Sequence, residues 1–205
     1  MSTEDPYENL EPVEDDPDVP EWDDEYVDRV SDRLMFNYDL EKDYAVDGAD
    51  DPFTLYGRMQ MHHQKHFFHP MLSFAHHDTY DHVFVRQTAG VTVADLEALV
   101  ALGHDLADEW IEADPEHYAT EFTFVVVTDA ITEDVAAFVE GFRDRTMLKG
   151  GFNGHYELNL LAVAPDDERL VASERTDLDE AFRLWEPIEE EETTWWTLLR
   201  RRLQV

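Results

Sequence analysis

Cysteine is absent from this chain of 205 residues, which excludes disulfides, thiolate zinc sites and cysteine nucleophiles. Positive charge is scarce, because 15 Lys and Arg residues stand against 49 Asp and Glu residues. No apolar run approaches the roughly 20 residues that a membrane-spanning helix needs. The N-terminus also has no basic region followed by an apolar stretch. We therefore expect no membrane span, no signal peptide and a cytoplasmic location.

The formal net charge of -34 indicates a protein adapted to concentrated salt. Such a charge makes a folded domain repel itself, and about 1 M salt removes most of that repulsion by shortening the Debye length to about 3 Å. Lysine is rare within the basic set, and an aromatic content of 12% argues against a disordered acidic chain. The composition predicts a halophile cytoplasm, and it argues against non-specific nucleic-acid binding, which needs a positive surface.

Three regions differ in composition. Residues 1–21 are acidic and rich in proline, which predicts a disordered arm. Residues 22–185 carry the patterned apolar segments and predict a single α/β or α+β domain. Residues 186–205 form a tail that is first acidic and then rich in Trp and Arg.

Hydrophobic periodicity predicts a mixed sheet with the order helix-β-β-β-helix-β-helix-β-β. We expect the first helix to run from Glu25 to about Tyr44, followed by three strands within residues 51–88 with a connection at His76–Thr79. Thr92 is expected to cap the second helix, with Asp95 three residues later. The segment EFTFVVVTD is apolar on both faces and predicts a central strand.

Seven of the ten histidines lie between Met59 and Phe84, which raises the question of a metal site. A metal needs three or four ligand atoms at about 2.0–2.2 Å. On the predicted hairpins, His69 and His82 lie about 13 Å apart at about 3.3 Å per residue. Only His62 and His66 come near each other, and no third ligand converges on them. We therefore predict solvated histidines and no metal or other cofactor, and we expect His104 to be exposed.

The segment RDRTMLKGGFNGHYELN is the most favourable place for a binding site. Arg143, Arg145 and Lys149 come just before a glycine-rich loop. The strand after the loop alternates polar and apolar residues. Backbone N–H groups beside cations can hold an anion, although the spaced phosphate-binding motifs are absent. A hairpin loop whose cations pair with carboxylates is the alternative. The candidate binding residues are Arg143, Arg145, Lys149, His155 and Glu157, and no catalytic residue is predicted.

Two further features leave alternatives open. The order helix, three strands, helix, strand is shared by many PD-(D/E)xK nucleases, but the third strand here has no E-x-K motif and no lysine. The tail around Trp195 and Trp196, with three arginines after it, has a composition that suits a docking segment. It is expected to contact the domain itself, a second copy or a protein partner rather than a lipid surface.

Several segments together resemble an uncharacterised family of hypothetical proteins from halophilic archaea, a domain of unknown function. They are EYVDRVSDRLMFNYDLEKDY, GHDLADEWI, EFTFVVVTDAITEDVAAFV and MLKGGFNGHYELNLLAVAP. The resemblance covers roughly Trp22 to Ser173 and implies an origin without site residues. The leading functional hypothesis is a non-catalytic binding or interaction protein. A small-anion-binding protein or enzyme centred on Arg143–Glu157, or a diverged nuclease-like fold, is the alternative.

Overall fold

A seven-stranded mixed sheet forms the centre of the molecule, with helices on both faces. The computed structural model describes residues 20–64, 76–112, 117–176 and 178–186, without the side chains of residues 62–64, 76 and 77. The elements are α1 (Glu25–Leu34), β1 (Asp39–Tyr44), β2 (Phe53–Gln64), β3 (His76–Thr88), α2 (Val93–Trp110), β4 (His117–Thr128), α3 (Glu133–Gly141), β5 (Asp144–Met147), a 3-10 turn (Leu148–Gly151), β6 (His155–Ala164), β7 (Arg169–Ala172) and α4 (Asp179–Phe182).

The strands lie in the order β1-β2-β3-β4-β6-β5, and β7 also pairs with β6. β3 pairs with β4, and β4 with β6, in parallel, while the other pairs are antiparallel. Parallel neighbours need a crossover connection, which α2 supplies between β3 and β4 and α3 supplies between β4 and β6. The predicted α+β domain with a mixed sheet is confirmed.

Each face of the sheet carries its own apolar core. On β6, Tyr156, Leu158 and Leu160 belong to the core beneath α2 and α3, whereas Leu161 and Val163 belong to the core beneath α1 and α4. This division follows from the strand geometry, since successive side chains point to opposite faces. β4 is buried on both faces, as its sequence predicts.

The second helix begins and packs as the sequence predicts. The Thr92 side chain accepts a hydrogen bond from the Asp95 backbone N–H, and the Asp95 carboxylate accepts one from the Thr92 backbone N–H. Gly103 allows α2 to approach the sheet closely, because a Cβ added there would lie 2.8 Å from a Leu158 methyl carbon and 2.9 Å from the Phe124 ring. Thr132 caps α3 by accepting from the Val135 N–H.

The predicted end of the first helix is wrong. The first helix ends at Leu34 rather than near Tyr44, and the chain turns at Tyr38, whose N–H donates to the Leu34 carbonyl at 3.0 Å. The four-residue spacing continues into β1 because Tyr38 stays in the same core after the turn.

The histidine-rich connection is also placed differently. His76–Thr79, predicted as a turn, forms the beginning of β3, which pairs directly with β2. The middle predicted strand falls on residues 65–74, which lie outside the described residues. The order helix, three strands, helix, strand is therefore present, with β1 as the first strand.

Candidate functional site

Three of the five predicted binding residues come together where β5 meets β6. Arg145 lies opposite Glu157 in the antiparallel pair, with its Nε 3.3 Å from Glu157 Oε1. His155 Nε2 is 3.5 Å from the same oxygen. Arg175, which the sequence analysis missed, follows β7 and donates to Oε1 from Nη1 at 3.2 Å. Three nitrogen-bearing side chains thus converge on one carboxylate oxygen.

Glu157 is only 7% exposed, and its ionisation depends on these neighbours. Burial raises the pKa of Glu157, but the hydrogen bond from His155 and the charges of Arg175 and Arg145 outweigh burial and hold the pKa below its usual value. A carboxylate with a lowered pKa is ionised near neutrality and is a poor general base. The cluster therefore suits a fixed ion pair better than proton transfer.

The other two predicted residues lie outside this cluster. Arg143 forms a hydrogen-bonded ion pair with Glu174, and both side chains are exposed. Lys149 lies in the 3-10 turn with a φ of 45°, in the left-handed region that side chains other than glycine rarely adopt. The predicted five residues therefore form one cluster, one separate ion pair and one loop cation.

Glu157 is also the end of a row of carboxylates across three strands, which we call the acid row: Asp81 on β3, Glu121 on β4 and Glu157 on β6. Asp81 is the register partner of Glu121, and Glu121 is the partner of Glu157. Neighbouring strands lie about 4.8 Å apart, so three acidic side chains share one face within a short distance. Tyr38 donates to Asp81 Oδ2 at 2.7 Å, and Asp81 is 5% exposed.

Asn159 follows Glu157 on the same face of β6 and is only 2% exposed. Its Oδ1 faces the Ser173 hydroxyl at 3.5 Å. Its Nδ2 is buried and has no hydrogen-bond partner among the residues that the structure describes. An unsatisfied buried donor costs about 1–3 kcal/mol, and no described residue supplies the acceptor here.

The loop between β5 and β6 displays apolar side chains at the end of the sheet. Phe152 is 89% exposed and Met147 is 52% exposed. Leu148 N–H donates to the Gly154 carbonyl at 3.0 Å, and His117 Nδ1 lies 2.9 Å from the Asn153 carbonyl. The loop is thus tied both to itself and to the first residue of β4.

Two histidines differ from the predictions. His82, expected on a solvated hairpin, is 7% exposed and stacks on Phe122, with Nδ1 2.8 Å from the Tyr56 hydroxyl. It is buried because Trp110 of α2 and Phe122 of β4 pack against its ring, with ring centroids 5.2 Å and 5.1 Å away. His104, expected to be simply exposed, bridges the Tyr156 hydroxyl at 2.8 Å and Asp144 at 3.1 Å.

Within the described part of the chain, no group of three or more His, Cys, Asp or Glu side chains is arranged to hold a metal ion. The predicted near pair, His62 and His66, lies outside the described side chains. Among the helices that the structure describes, none combines the length and the apolar character that a membrane crossing needs.

The fold and the site define a mixed α+β protein whose buried carboxylate is held by two arginines at the edge of the sheet. The chain belongs to the family described as a domain of unknown function, DUF8052, whose model matches residues 23–184. The resemblance to a domain of unknown function is thereby confirmed. No curated protein and no solved structure gives a significant match.

Proposed function

We propose that this chain is a non-catalytic binding protein of a halophile cytoplasm, and that it binds a protein partner through the β5–β6 loop. The binding surface, which we call the Phe152 corner, consists of Met147, Phe152, Tyr118 and Lys149. The observation that carries the proposal is the 89% exposure of Phe152 beside a second exposed apolar side chain, Met147. Large apolar side chains grouped on a surface are typical of protein–protein contacts.

A close approach at Gly154 anchors the backbone of this corner on β4. A Cβ added at Gly154 would lie 2.2 Å from the Tyr118 carbonyl oxygen, so the loop packs directly on the β4 backbone. Gly150, Gly151 and Gly154 all have positive φ, which glycine adopts without steric cost. A preorganised loop loses little conformational entropy on binding, and Phe152 is therefore displayed in a form suited to recognition.

The charges near the corner indicate the chemistry of the partner. Lys149 lies within the loop, whereas Arg145, on the strand leading into it, is already paired with Glu157. A protein of net charge -34 offers few such cations. An apolar side chain flanked by carboxylates on the partner would match Phe152 and Lys149 together.

The alternative is a small-anion-binding protein or an enzyme centred on Arg143–Glu157. An added anion would have to compete with Glu157 for Arg145 and Arg175, both of which contact Glu157 Oε1. The lowered pKa of Glu157 also opposes general-base chemistry. A nuclease-like activity has still less support, because β3 has no lysine. The pairing of both arginines with Glu157 therefore supports the binding protein over both alternatives.

Photo-cross-linking tests the proposal at two exposed phenylalanines of similar accessibility. p-Benzoylphenylalanine is placed at Phe152, which is 89% exposed, or at Phe36, which is 79% exposed and lies between α1 and β1. Irradiation is carried out in cells or in extract at concentrated KCl, and the cross-linked peptides are identified by mass spectrometry.

We expect the Phe152 probe to capture one predominant protein through an apolar segment flanked by Asp or Glu. Lys149→Glu should lower that capture at least fivefold, whereas the Phe36 probe should not yield the same protein. Equal capture from both positions, or no specific adduct at Phe152, would refute the proposed surface.

A further inference from the structure

We propose that the C-terminal segment 187–205 docks on the α1 face of its own domain, with the run Arg200, Arg201 and Arg202 bound at the acid row. This inference is independent of the Phe152 corner. It rests on the register of three carboxylates, on one unsatisfied buried amide, and on where the described chain ends. The occupant is the same polypeptide, and a second copy is an outcome that the test distinguishes.

The acid row lies on a face that is apolar elsewhere. α1 and α4 cover the part of this face built from residues such as Val83, Val125 and Leu161. Asp81 lies next to Val83 on the same face of β3, while Thr123 lies between Val125 and Glu121 on β4, and Asp81 and Glu121 are in register with each other. The face therefore changes from apolar to acidic along its length, and a segment that is first apolar and then basic would match it.

The tail has this order of residues. Trp195, Trp196, Leu198 and Leu199 are followed directly by Arg200, Arg201 and Arg202. Guanidinium groups bind carboxylates through parallel N–H···O contacts, and such pairs are stronger than neutral hydrogen bonds. Three of the 15 basic residues of the chain are in this run, so its charge is unusual for the protein as a whole.

Asn159 provides an independent sign of a missing polar contact. The residue is 2% exposed, and no described residue accepts from its Nδ2, while the other end of the amide faces Ser173. It is next to Glu157 on the same face, because residues i and i+2 of a strand share a face. A docked peptide offers backbone carbonyls, which are the acceptors that this donor lacks.

The end of the described chain is within reach of the acid row. Trp185 and Leu184 line a groove with Pro165, just beyond the end of β6. Glu157 lies eight residues before Pro165, which corresponds to about 26 Å at about 3.3 Å per residue. Arg200 lies 14 residues after Glu186, a separation that spans about 21 Å as a helix and about 46 Å when extended. The distance of about 26 Å from the groove to Glu157 lies between these two lengths.

Disulfide trapping tests the docking, and the absence of cysteine from the chain makes it specific. One cysteine replaces Leu203, just after the arginine run. In the test variant the other cysteine replaces Met59, whose register partner is Asp81. In the control variant it replaces Gln60, which is next to Met59 on β2 and points to the opposite face of the sheet. Oxidation is followed in concentrated KCl at low protein concentration by mass spectrometry and non-reducing electrophoresis.

The Met59→Cys variant should form a disulfide within one chain at least tenfold faster than the Gln60→Cys variant. Changing Arg200, Arg201 and Arg202 to Gln should remove most of that difference, while Phe152→Ser should leave it intact. Met61→Cys, on the same face as Met59, replaces it if the first variant does not fold. Equal rates at the two faces would overturn the proposal, and disulfides found only between chains would assign the segment to a second copy instead.

Discussion

Acidification should destabilise this protein through His82 before most carboxylates are protonated. Burial, together with the charge of Arg58, lowers the pKa of His82 from its usual 6.5 to about 4. In the unfolded chain the imidazole binds a proton below about pH 6.5, whereas in the folded protein it stays neutral until about pH 4. The unfolded state therefore binds more protons in this interval, and stability falls as the pH falls.

The size of the effect follows from the two pKa values. The difference between 6.5 and about 4 corresponds to about 3 kcal/mol at about 1.36 kcal/mol per pKa unit. This stability is fully present above pH 6.5, is lost between pH 6.5 and 4, and does not change further below pH 4 on account of His82. Burial is the larger cause of the lowered pKa, and salt does not screen it, so most of the effect should persist in concentrated KCl.

Urea unfolding in 2 M KCl between pH 7.5 and pH 4 measures this loss, with circular dichroism as the signal. His82→Gln is the comparison, because Gln can still bond the Tyr56 hydroxyl but does not titrate. Both proteins carry the same carboxylates, so their contribution to the pH dependence is removed when the two unfolding free energies are subtracted. Parallel pH profiles for the two would refute the reasoning and would mean that His82 is solvated in the folded state.

Two further perturbations test the packing and the salt argument. Gly103→Ala should cost about 1 kcal/mol or more despite the better helix propensity of Ala, because Leu158 and Phe124 are buried and leave no room for the added Cβ. Gly141→Ala is its matched control in α3, where nothing lies within 4 Å of the added atom, and equal urea midpoints for the two would refute the close-packing argument. The melting temperature of the whole protein should rise steeply from dilute buffer to 2 M KCl, as expected for a net charge of -34; a flat response would contradict the proposed halophile origin.

Local signals in the sequence predicted the parts of the fold that depend on neighbouring residues. The reciprocal hydrogen bonds between Thr92 and Asp95 involve residues only three apart in the sequence. The continuous apolar run of β4 likewise predicts that this strand is buried. The end of α1 was mispredicted for a related reason. Tyr38 keeps the helical spacing in the sequence, yet it reaches the same core from a turn.

The acid row could not be predicted, because it depends on pairing between distant strands. Asp81, Glu121 and Glu157 are separated by α2 and α3 and meet only through the parallel register of β3, β4 and β6. A period-two pattern says that Glu157 and Asn159 share a face, but not which residue lies opposite them. Of the predicted binding residues, Arg145, His155 and Glu157 lie together in the structure, whereas the contact from Arg175 could not be read from the sequence.

The arginines on β5 and after β7 are already engaged in ion pairs, which makes them less suited to binding a partner. Arg145 and Arg175 hold one buried carboxylate, and Arg143 holds Glu174. In the concentrated salt that the composition indicates, attraction between exposed charges extends only about 3 Å at 1 M. Many salts strengthen apolar association under the same conditions. For a protein in such a solvent, apolar contact at close range would serve recognition better than charge steering, which supports the role proposed for Phe152 and Met147 over one for the arginines beside them.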